Sequence, residues 1–153
     1  MPKGWEEAHV ELCFAGIDYE AEVFLNGLSL GRHRGMYVPC RFDVTGKLKD
    51  GTNLLAVVLE PAPFEQPQVG KTSLVRTHKS RMTYWWDFCP RMIHQGIWQD
   101  VYLERTGENR FEDLYVYAEL SKDWRTAQIH MEVRTQGMAE GLLRGNFGTH
   151  DFE

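Results

Sequence analysis

The chain has 153 residues, a formal net charge of -5 and 42% hydrophobic residues, which is room for one full domain and part of a second but not for a large multidomain enzyme. The acidic balance argues against a phosphate-tracking surface, so nucleic acid is not an expected partner. No run of roughly 18 apolar residues occurs and Met1-Pro2-Lys3-Gly4-Trp5-Glu6-Glu7 lacks the apolar stretch of an export signal, so no membrane is expected and the open question of compartment leans to the cytoplasm.

Val10-Glu11-Leu12-Cys13-Phe14-Ala15-Gly16-Ile17 and Glu20-Ala21-Glu22-Val23-Phe24-Leu25 carry a β-favouring pattern and are joined at Asp18-Tyr19. Asn26-Gly27 follows, two residues that tolerate positive φ, and predicts a type I′ hairpin with Leu28 to Gly31 returning antiparallel. Tyr37 to Val44 is another extended run in which Pro39, lacking an amide donor, predicts an edge or a bulge. After the turn Asp50-Gly51-Thr52-Asn53, the run Leu54 to Glu60 is apolar at almost every position, which predicts a central strand covered on both faces.

Residues 61–81 hold Pro61, Pro63, Pro67 and Gly70, then Lys71, Arg76, His78, Lys79 and Arg81 without periodicity. Ordered loops of this length are often binding loops or lids. Gly96 to Glu104 alternates well and is expected to close the first domain, residues 1–107. In residues 108–153, Leu114 to Leu120 and Ala127 to Arg134 predict two strands around a polar turn, and Gly141 to Glu153 offers no further strong strand. Two strands cannot bury a core, so this second domain is expected to be truncated. No segment holds a 3.6-residue apolar period, and the expected fold is all-β, a sandwich of antiparallel sheets.

The most informative stretch is Tyr84-Trp85-Trp86-Asp87-Phe88-Cys89-Pro90-Arg91. A carboxylate among indole and phenyl rings suits a sugar: ring faces cover its C–H surface while the acid accepts hydrogen bonds from its hydroxyls. Asp87 could equally be a buried structural acid capping a turn before Pro90. Against this, consecutive aromatics cannot all be buried by alternation, so at least one ring is expected to be exposed or to face a partner.

Other constellations are weaker. Cys13, Cys40 and Cys89 are odd in number and widely spaced, which disfavours a disulfide scaffold, and Cys13 reads as a small core hydrophobe. Cys89 with His94, His78 or His33 lacks the paired short spacings of a zinc site, and no metal or cofactor is expected. Val69-Gly70-Lys71-Thr72 imitates a phosphate-binding loop, but Glu65 stands where its first glycine belongs. Glu6, Glu7, Glu11, Glu20 and Glu22 read as solvent-facing strand charges rather than a catalytic pair, and no serine or cysteine nucleophile stands out.

Taken in order, Phe14 to Gly27, Leu30-Gly31, Tyr37 to Thr45, Gly51 to Val57 and Gly96 to Glu104 resemble the N-terminal sugar-binding domain of glycoside hydrolase family 2, the group of β-mannosidases, β-galactosidases and β-glucuronidases. Trp86-Asp87-Phe88-Cys89-Pro90-Arg91 looks like the Trp-Asp-Trp-Gly-Pro-Arg motif of the β-mannosidase branch, with Phe88 in place of Trp, Cys89 in place of Gly, and Trp85 in place of the Gly before the motif. Within the matched pieces, Asp43 and Asn53 are expected to bond turn amides.

The resemblance implies a jelly-roll-like, galactose-binding-like antiparallel β-sandwich followed by the first strands of an immunoglobulin-like β-sandwich. It implies no catalytic residue here, because the family's two glutamates lie on a (β/α)8 barrel, and it makes Trp86 and Asp87 substrate-binding residues toward the terminal sugar of a glycoside. The implied partners are that barrel and the immunoglobulin-like domain of a retaining exo-β-glycosidase, of which this chain is expected to be a fragment trimmed at its N-terminus. A free-standing carbohydrate-binding module is the alternative, and a purely structural sandwich the third reading.

Overall fold

The computed structural model describes residues 4–5, 8–64, 74–107, 109–137 and 140–152. Two compact units divide the chain, Met1–Arg105 and Thr106–Glu153. The strands of the first are β1 (His9–Phe14), β2 (Ile17–Asp18), β3 (Glu20–Leu25), β4 (Leu28–Arg34), β5 (Cys40–Asp43), β6 (Leu55–Leu59), β7 (Gly96–Ile97) and β8 (Val101–Thr106). No α-helix occurs among the described residues, and Met82–Tyr84 forms one 3-10 turn.

One sheet has the order β5-β1-β8 and a second β4-β3-β6, with β2 paired to β7 beside them. Alternation directs Val10, Leu12 and Phe14 of β1 and Ala21, Val23 and Leu25 of β3 into one buried cluster, joined by Ile17, Phe42 and Val44. Phe14 and Phe42 meet edge to face at 6.2 Å. This is an antiparallel β-sandwich.

The hairpin forms as its residues dictate. Asn26 and Gly27 take φ of 52° and 85°, Leu25 pairs with Leu28, and β4 returns along β3 with one irregularity where Val23 faces Gly31 and Phe24 faces Ser29. Asn53 Oδ1 accepts from the Lys49 amide at 2.8 Å and from Asn26 Nδ2 at 2.8 Å, and Asp43 Oδ1 accepts from the Thr45 amide at 2.9 Å. Both acids and amides therefore tie turns, as their positions predict.

Three expectations are corrected. The run from Val10 to Ile17 is two strands rather than one, because Gly16 lies under the Trp98 ring and the chain there leaves β1 for β2. The run from Gly96 to Glu104 breaks at the same place: the Trp98 amide donates to Gly16 O at 3.2 Å and the Ala15 amide to Asp100 O at 2.9 Å. Among the described residues β6 is at the edge of its sheet, not central, and it leaves Leu55 and Val58 exposed. Cys13 is buried as a small core residue, with its thiol toward Glu11, Arg41 and Glu104. Pro39 stands just before β5, which among the described residues is at a sheet edge.

The second unit contains β9 (Arg110–Leu120) paired with β10 (Ala127–Gln136), and β11 (Gly145–Phe147) paired with β12 (His150–Phe152). The long hairpin turns at 121–126, where Ser121 Oγ donates to Asp123 Oδ1 at 2.6 Å and holds that carboxyl below its usual range. The tail, expected to hold no further strong strand, forms the short β11–β12 hairpin, whose three-residue strands are too short to show alternation. Leu114, Tyr115, Val116 and Leu120 remain exposed on β9.

Candidate functional site

Trp86 and Cys89 form an isolated antiparallel bridge, each amide donating to the other's carbonyl at 3.2 Å. Asp87 and Phe88 are therefore the two tip residues of a tight turn. Asp87 is exposed, Trp86 is half-buried, and the Trp86 and Phe88 rings meet at 6.4 Å, near edge to face. Trp85 and Phe88 are 45% and 70% exposed, so rings of this stretch face outward, as consecutive aromatics require. A carboxylate capping its own core is not what Asp87 is.

The turn stands on a framed loop. The Tyr84 ring is fully buried, its hydroxyl donates to Pro63 O at 2.7 Å, and the guanidinium carbons of Arg81 and Arg91 lie 4.5 Å and 5.2 Å from its centre. The Met92 amide donates to Thr83 O at 3.0 Å, closing the loop below the tip. Trp85 takes φ 122°, ψ 142°, a region that costs a residue with a Cβ about 1–3 kcal/mol. That backbone suits the glycine that the β-mannosidase motif carries at this position.

Deeper still lies a group that the sequence pattern hid. Asp18, 1% exposed on β2, accepts through Oδ2 from Lys79 Nζ and lies 3.2 Å from His94 Nδ1; Lys79 Nζ, its side chain fully buried, also donates to His94 O at 2.6 Å. Asp18 reads in sequence as a strand joint and Lys79 as one more cation of a basic loop. The available signal is an acid flanked by apolar Ile17 and Tyr19 at a strand junction, where a charge must find a partner.

The histidines weighed as metal ligands have separate partners. His33 Nε2 lies 2.7 Å from Gly35 O, and the His78 ring sits 5.0 Å from that of Tyr37. Ligand atoms of Glu11, Cys13 and Glu104 do come within 4.8 Å of one another. Arg41 occupies that place: its Nη1 donates to Glu11 at 3.1 Å, to Glu104, and toward Cys13 Sγ at 3.5 Å. Burial, and behind it Glu104 and Glu11, push the Cys13 thiol up against the pull of Arg41. Arg41 thus already stands between the two carboxylates, and burial favours the protonated thiol, so an ion-pair knot fills the place a cation would take. Glu20 and Glu22 are likewise paired, to Arg34 at 3.0 Å and Arg32 at 3.1 Å, rather than simply facing solvent. Glu6, Glu7 and Val69 to Thr72 lie outside the described residues.

An antiparallel β-sandwich with this strand order has the build of a galactose-binding-like domain. The chain belongs to the glycosyl hydrolase 2 galactose-binding domain-like family, whose profile matches residues 1–99. It is 31% identical over 140 residues to the mannosylglycoprotein endo-beta-mannosidase of Lilium longiflorum, covering 86% of this chain and 15% of that protein. It is 26% identical over 148 residues to beta-mannosidase B of Thermothelomyces thermophilus, covering 88% and 17%. The crystal structure of the beta-D-mannosidase of Dictyoglomus thermophilum superposes with a TM-score of 0.70 at 26% identity, covering 88% of this chain and 18% of that one. The chain thus spans less than a fifth of the length of these relatives, and its likeness is to the β-mannosidase branch.

Proposed function

We propose that residues 1–107 serve a glycosidase resembling β-mannosidases as a non-catalytic, sugar-facing domain, with residues 108–153 beginning an immunoglobulin-like sandwich. Asp87 accepts hydrogen bonds from hydroxyls of the terminal sugar and Trp86 packs beside its ring, while the retaining exo-type cleavage belongs to a barrel outside these residues. The observation that carries this is the exposed tip: an acid offered outward between a half-buried indole and an exposed phenyl ring has no role in its own core.

A shallow two-residue tip gives a sugar too few contacts to be held by this chain alone, since affinity requires most of a ligand's surface to be buried. Titration of the isolated chain with mannose should therefore show no saturable binding, and clear saturation would favour a free-standing carbohydrate-binding module. In the complete enzyme, Asp87→Ala removes a charge-assisted hydrogen bond of about 2–3 kcal/mol and should lower kcat/KM on an aryl β-glycoside at least tenfold. Near-normal activity would remove Asp87 from the site.

A further inference from the structure

Lys79 and His94 bracket the turn at 86–89, Lys79 seven residues before Trp86 and His94 five residues after Cys89. Both ends meet at one carboxylate. Lys79 Nζ reaches Asp18 Oδ2 and the carbonyl of His94, and His94 returns to the same Oδ2 through Nδ1 at 3.2 Å. The anchor is not part of the loop: Asp18 belongs to β2, and its residue partner in that ladder is Gly96, the first residue after the loop to rejoin a strand.

We infer that the Asp18–Lys79–His94 cluster is a clamp that positions the Trp86–Asp87 turn, an inference that rests on the sugar-facing role proposed above for that turn. Asp18 and Lys79 are positioning residues, acting through the loop rather than touching sugar. The burial of both charges is what separates this from ordinary packing. The Asp18 and Lys79 side chains are 1% and 0% exposed, and two desolvated charges stabilise a fold no better than a well-packed apolar pair of similar volume. What the ion pair adds is direction: three bonds converge on fixed atoms and set where both ends of the loop start. The Met92–Thr83 bond and the Tyr84 ring between Arg81 and Arg91 then carry that register to the tip.

The test replaces the charges by volume. In Asp18→Leu/Lys79→Met the two buried charges disappear together, so global stability is retained while direction is lost. Amide hydrogen exchange on the 153-residue chain should accelerate at least tenfold at Trp86, Cys89 and Met92, with the amides of β3 and β6 unchanged. Unchanged exchange at the turn, or equal loss of protection across β3 and β6, would overturn the clamp. Should the double variant not fold, His94→Ala, which removes the bond to Asp18 Oδ2 and leaves the buried Asp18–Lys79 pair intact, reads the same contrast. In the complete enzyme the double variant should lower kcat/KM at least tenfold, and adding Asp87→Ala should lower it no further. Full additivity would overturn the link. Accelerated exchange at the turn with activity intact in both the double variant and Asp87→Ala would uphold the clamp and reject the sugar-holding reading instead.

Discussion

Gly16 marks the point where the chain changes sheets, and a methyl group there would sit 2.6 Å from Trp98 Nε1 and 2.8 Å from Cε2. The indole cannot yield freely, because its N–H donates to Met36 O at 2.9 Å and its ring meets Tyr37 at 6.0 Å. Gly16→Ala should therefore cost about 1–3 kcal/mol as overpacking, read as a lower urea midpoint. An unchanged midpoint would mean that the ring turns aside. Cys40 yields a prediction of a different kind. Burial, with Cys13 beside it, raises its thiol from 9.0 to about 11, so the folded chain holds this proton more tightly than the unfolded one. The contribution is complete below pH 9 and is lost as pH rises toward 11, so stability should fall across that window. Cys40→Ala should show a smaller fall over the same range, and an identical fall would assign the effect to other groups.

At the scale of elements, local chemistry was legible where residues act on their neighbours in sequence. Asn26-Gly27 fixed the β3–β4 turn, and Asp43 and Asn53 found turn amides two and four residues away. What sequence did not show depends on residues far apart. The break between β1 and β2 needs Trp98 over Gly16, a contact across about 80 positions that no periodicity encodes. The apolar run of β6 satisfied the pattern of a doubly covered strand, yet β6 has a neighbour on one side alone among the described residues. The candidate site divides in the same way: Trp86 and Asp87 stand out because rings and an acid are adjacent, whereas Lys79 reads as one more cation of a basic loop and only the fold encloses it with Asp18 and His94. Composition cannot tell a buried lysine from an exposed one.

For the molecule as a whole, apolar surface stands open in each unit. Leu54, Leu55 and Val58 are 68%, 39% and 52% exposed along the β6 edge, and β9 shows Leu114 and Tyr115. An unpaired apolar edge is a template for association. The 153-residue chain should self-associate as its concentration rises in sedimentation velocity runs, and Leu55→Lys/Val58→Lys should shift it toward the monomer; equal association in that variant would clear the edge. The same openness frames the account of the Trp86–Asp87 turn, an outward feature on a sandwich that is otherwise concerned with its own core. The most direct measurement compares Asp87→Asn with the unaltered protein in the complete enzyme, since the amide keeps the shape of the side chain and removes its charge. The expected result is at least a tenfold fall in kcat/KM on an aryl β-mannoside with the melting temperature unchanged. A lower melting temperature with turnover intact would contradict the account and make Asp87 a structural residue.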